Sequence, residues 1–66
     1  MSTTLGERLK QFRLKRGLSQ AGLAKKSGMN TNAVAKIERG VSEPTLATVK
    51  KLSEALGVKA SDLLGY

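Results

Sequence analysis

Residues 28–40 of the chain read GMNTNAVAKIERG, where Asn30, Thr31 and Asn32 follow one another directly and Lys36 comes four residues after Asn32. Amides and hydroxyls offer paired donors and acceptors that match base edges in the major groove, and a lysine ammonium donates to guanine or to phosphate. Asn and Thr are mediocre helix formers and good caps. Asn30 therefore reads first as the N-cap of a helix. Asn32 lies past the cap, so capping does not explain it.

Rotating that helix at about 100° per residue shows which side is free. Val34 and Ile37 define the inward direction. The opposite side collects Asn32, Ala35, Lys36 and Arg39, with Thr31 at the open N-terminal turn, and no acid falls in this set. Ala35 is small enough to allow close approach or contact with a thymine methyl.

Charge points the same way. Twelve Lys+Arg against five Asp+Glu give a formal net charge of +7 in 66 residues. The field of so small and basic a body attracts polyanions, nucleic acid or anionic membrane. There is no cysteine and no histidine, hence no disulfide framework, no Cys/His zinc site and no imidazole for acid–base work. The carboxylates Glu7, Glu38, Glu43, Glu54 and Asp62 form neither a close pair nor a calcium loop,. No nucleophile–base pair can be assembled. The expectation is a non-enzyme with no metal, no cofactor and no small-molecule ligand. Apolar runs are too short for a signal peptide or membrane span, so the chain reads as one cytoplasmic domain, residues 1–66, without a membrane role.

The elements that must position these residues are helices. TLGERLKQFRLKRG opens with Thr4 and Glu7 at capping-box spacing and carries Leu5, Leu9 and Phe12 on one stripe, with Gly17 as its stop,. SQAGLAKKSG is a short helix capped by Ser19, with Leu23 inward, ending near Gly28. NTNAVAKIERG is the third, stopped by Gly40. EPTLATVKKLSEALG starts at Pro44 and Thr45, faces Leu46, Val49, Ser53 and Leu56 to one side, and ends at Gly57. ASDLLGY is at most two turns. Strand signals are absent, so the class is all-α, a five-helix orthogonal bundle.

Between the second and third helices, Gly28 can take positive φ and Ala24 is small enough for a close crossing,. A tight turn with a steep crossing is the helix-turn-helix layout, over about residues 20–39; an ordinary helical hairpin is the competing reading.

The segments LKQFRLKRGLSQAGLAKKSGMNTNAVAKIERG, PTLATVKKLSEALGV and DLL together resemble the Cro/CI-type (XRE) helix-turn-helix family of DNA-binding regulators, from Leu9 to Leu64. The resemblance implies a lambda-repressor-like fold and a sequence-specific double-stranded DNA-binding regulator, repressor-like and nucleoid-associated. By matching position, Thr31, Asn32 and Lys36 face bases and Gln20 touches phosphate. Arg16, Lys25, Asn30 and Arg39 are the further candidates for phosphate contact. Two positions depart from the family pattern: Gly22 inside the second helix, which should soften it by about 1 kcal/mol relative to Ala, and Met29 at a core-facing position, a tolerable swap. The alternative function is an antitoxin- or coactivator-type protein-interaction module of the same fold.

Two further expectations concern structure and assembly. Arg13 lies eight residues after Leu5, near the buried stripe, and Glu38 lies beside Ile37. A buried guanidinium needs a carboxylate, so these two should pair, as the family resemblance also implies. One helix-turn-helix unit contacts too few base pairs for selectivity, which argues for a homodimer, weak off DNA, on a near-palindromic operator. Leu64 and Tyr66 are its candidate contacts, while Val58 reads as a cap on the bundle. There is no room for an effector domain: either the protein responds through concentration alone, or the chain is the DNA-binding piece of a longer one.

Overall fold

The computed structural model describes residues 4–65, so Tyr66 lies outside the described residues. Five helices follow in order: α1 Leu5–Lys15, α2 Gln20–Ser27, α3 Thr31–Glu38, α4 Leu46–Leu56 and α5 Ala60–Leu64, with no strand among the described residues. α2 packs on α3 and α4, α1 on α3 and α5, and α4 on α5. The shared core is built from Leu9, Leu23, Ala24, Val34, Ile37, Val49, Leu52, Leu56 and Leu63.

Four of the helices start in the same way. The N-cap oxygens of Thr4, Ser19, Asn30 and Thr45 accept from the backbone N–H three residues on, at 3.2, 2.9, 2.8 and 3.2 Å. Each such bond satisfies a donor that the helix itself cannot. Gly22 thus falls in the first turn of α2, its N–H held by Ser19 Oγ, so its softening effect is smaller than a position deeper in the helix would suggest.

The helix ends decide the path. Gly28 has φ 70°, a left-handed conformation that costs glycine nothing. Gly28 N–H donates to Lys25 O and Met29 N–H to Ala24 O, the paired bonds that close a helix and reverse the chain. Only Gly28, Met29 and Asn30 therefore separate α2 from α3. Met29 packs against the core at this corner, as do Leu18 and Val58 after the other glycine turns. Val41, after Gly40, is the exception at 71% exposed. The chain leaving α3 is held instead through its backbone, Val41 N–H and Ser42 N–H both donating to Lys36 O at 3.0 and 3.4 Å.

Two core assignments differ from expectation. Leu46 is 67% exposed, and Leu52, absent from the expected stripe, is 1% exposed. Leu46 is the first residue of α4 and lies roughly 60° around the helix from Val49. The inward stripe is Val49, Leu52, Ser53 and Leu56, which leaves Leu46 beyond its edge. Buried Gly6 was not anticipated: a Cβ there would come within 2.6 Å of Glu38 O and nearer still to Ile37 O. Its missing side chain is what lets α1 approach the C-terminal end of α3.

Candidate nucleic-acid interface

α3 divides cleanly. Val34 and Ile37 are buried, while Thr31, Asn32, Lys36 and Arg39 are exposed and Ala35 is half-buried. Asn30, Thr31, Asn32, Ala33, Lys36 and Ser42 together line one open polar depression along the N-terminal part of the helix. Asn30 does cap the helix: its Oδ1 accepts from Ala33 N–H at 2.8 Å. That leaves its Nδ2 uncommitted among the described residues. Thr31 and Asn32, at the first two helical positions, also present backbone N–H groups that no intrahelical carbonyl can satisfy.

Ser42 was missed from sequence because it lies outside the helix-turn-helix unit. The signal for it was Gly40, whose turn folds the following residues back onto Lys36 O and brings Ser42 to the rim of the depression.

The charge around this face is one-sided. From Arg8 through Ser42 the sole acid is Glu38, and it does not face solvent: its side chain is 4% exposed and is answered by Arg13. Arg13 Nε donates to Glu38 Oε2 at 2.6 Å and Nη2 to Oε1 at 3.1 Å, while Nη1 donates to Leu18 O at 2.8 Å. The surface of α2 and α3 accordingly carries Lys25, Lys26, Lys36 and Arg39 with no exposed carboxylate. Nothing opposes a polyanion there.

The structure distributes the other sequence-derived residues unevenly. Lys25 and Arg39 are exposed, in the last turn of α2 and at the C-cap of α3. Gln20 is half-buried and its Nε2 donates inward to Glu38 Oε1 at 3.1 Å. Arg16 is not brought to the depression. Its guanidinium lies beside Gly57 at the C-terminus of α4, bordering a separate hollow with Lys26, Glu54 and Ala55. Leu64 is half-buried against the core and lines an apolar groove with Leu5, Gly6, Ile37, Pro44 and Val49. No group of three acids that could hold a metal occurs among the described residues, and no helix is long and apolar enough to cross a membrane.

Comparison with known proteins agrees with this geometry. The helix-turn-helix family model matches residues 9–63. The chain is 37% identical over 62 residues to the immunity repressor protein of Bacillus phage phi105, covering 94% of this chain and 43% of that one. Two solved structures share the fold closely. One is the restriction-modification controller protein C.AhdI from Aeromonas hydrophila, with TM-score 0.88, 37% identity and 89% of each chain covered. The other is the P22 c2 repressor in complex with a synthetic operator, with TM-score 0.88, 32% identity and 94% of each chain covered. The chain spans about half the length of the first curated relatives it matches, 43% and 55%.

Proposed function

The chain belongs to the Cro/CI-type helix-turn-helix family, and from that premise we propose that it is a sequence-specific, repressor-like regulator that reads double-stranded DNA with α3. The observation that carries this is the polar depression: Asn30, Thr31, Asn32, Lys36 and Ser42 share one open surface whose lining contains no acid. A similar fold, that of the P22 c2 repressor, has been solved on an operator.

In this reading α3 enters the major groove with its N-terminal turn leading. Thr31, Asn32 and Lys36 choose bases. Asn30 Nδ2, Ser42 Oγ and the free backbone N–H groups at the starts of α2 and α3 meet phosphates, and Lys25 and Arg39 add attraction that does not depend on sequence. Arg16, beside Gly57, adds to the general field rather than to the contact surface. A homodimer on a near-palindromic operator supplies the base pairs that one unit lacks, with half-site centres roughly 34 Å apart so that both copies of α3 meet one face of the duplex. Leu64, which lines the apolar groove, is the candidate for the dimer contact in this reading.

Selection of bound sequences from a random duplex pool tests the proposal. Recovery of a common inverted repeat that resists competition by excess unrelated DNA is the expected result. Binding that unrelated DNA competes away in proportion to its concentration would sink the reading.

A further inference from the structure

Three side chains from three helices meet in one hydrogen-bond network. Glu38 Oε2 accepts from Arg13 Nε at 2.6 Å, and Glu38 Oε1 accepts both from Arg13 Nη2 and from Gln20 Nε2, each at 3.1 Å. The Arg13 and Glu38 side chains are 9% and 4% exposed. Gln20, half-buried, is the member that borders the surface. The Glu38 charge is already answered by a two-pronged guanidinium, so neutralising it does not require the amide. What the Gln20 bond adds is a directional tie between the first residue of α2 and the last residue of α3.

Those are the two helices whose mutual angle aims Thr31, Asn32 and Lys36. We propose that the Gln20 side chain is a positioning residue for base reading: through Glu38 it sets the tilt of α3 against α2. The inference rests on the DNA-reading function above. Hydrogen bonds to base edges weaken steeply as their angle degrades, whereas attraction between lysines and phosphates is tolerant of small rotations. A loosened tie should therefore cost discrimination and leave general affinity in place.

Gln20→Met keeps the length and removes the donor; Gln20→Glu sets a second carboxylate against Glu38. The measurements use the full chain, the duplex recovered by selection and an unrelated duplex of equal length, at several salt concentrations. Gln20→Met should lose about tenfold on the selected duplex, the scale of one charge-assisted hydrogen bond. Affinity for the unrelated duplex and the salt dependence should stay as they were. Gln20→Glu should lose more, because two carboxylates then face one another across the bond that the amide had made. In the DNA-free protein, Gln20→Met should shift amide resonances along residues 31–39, which judges the tie without reference to DNA. Equal losses on both duplexes would mean a direct phosphate contact and overturn the proposal, as would unchanged discrimination or unmoved α3 resonances. A wild-type chain that cannot tell the two duplexes apart refutes the DNA-reading function instead, and the base-reading role of Gln20 falls with it.

Discussion

Arg13 Nε and Glu38 Oε2 lie 2.6 Å apart, joining α1 to the end of α3 across 25 residues of sequence. Both side chains are more than nine-tenths buried. Arg13 Nη1 also donates to Leu18 O, so the pair holds the α1–α2 turn as well as the two helices. Removing one partner strands the other charge in the interior. Arg13→Ala should lower the unfolding free energy by about 3 kcal/mol or somewhat more, read from chemical denaturation. Arg13→Met combined with Glu38→Leu should be milder than either single alanine variant, because no charge is left unanswered. A double variant as damaged as Arg13→Ala would contradict this account.

Gly6 tests the close approach of α1 to α3. Helix propensity alone favours Gly6→Ala, by less than the about 1 kcal/mol of a helix interior because Gly6 lies in the first turn of α1,. The backbone oxygens of Ile37 and Glu38 leave no room for the methyl group, and backbone cannot swing aside as a side chain can. The steric effect should win, with a net loss of roughly 1–3 kcal/mol and a lower melting temperature. A stabilised Gly6→Ala protein would show that the two helices are not packed this tightly.

Base choice and general affinity should separate by residue. Asn32→Ala and Lys36→Ala should each lose about 1–3 kcal/mol of discrimination at one or two base pairs of the selected site. Arg39→Ala should weaken all duplexes alike and flatten the logarithmic salt dependence by roughly one unit. Titrations of single-substitution duplexes at several salt concentrations distinguish the two patterns. Discrimination left intact by Asn32→Ala would show that the base-reading residues lie elsewhere.

Substitution can split the cap at Asn30 from its proposed phosphate contact. Asn30→Ala removes the bond to Ala33 N–H and should cost about 1 kcal/mol of stability. Asn30→Asp keeps an N-cap acceptor, so thermal stability should hold. It also places a negative charge in the depression, where it repels phosphate, so DNA affinity should fall. Loss of stability with full DNA binding in Asn30→Asp is the contrary outcome.

Leu64 addresses assembly. Leu64→Ser should reduce affinity for a duplex carrying both half-sites more than for one carrying a single half-site, since only the first gains from pairing of protomers. Gel-shift titration on the two duplexes measures the difference. Equal effects on both would place Leu64 in the core of the protomer and the dimer contact elsewhere.

Much of this molecule is local and was legible in its residues. Thr4, Ser19, Asn30 and Thr45 mark helix starts, and Gly28 marks the corner before α3, because caps and glycine turns act over three or four neighbouring positions. The outward placement of Asn32, Lys36 and Arg39 followed from helical rotation against Val34 and Ile37, with Thr31 in the open first turn, whereas Ala35, expected on the same side, is half-buried. The expectation for Leu46 failed at a helix end, where spacing by three and four does not say how far the neighbouring body extends. Gly6, Ser42 and the inward turn of Gln20 are decided by tertiary packing for a related reason. Which backbone α1 meets, where the α3–α4 chain folds back, and which carboxylate an amide reaches all depend on residues far away in sequence. Local periodicity names the face of a helix, but only the packed structure decides what stands opposite that face and how near.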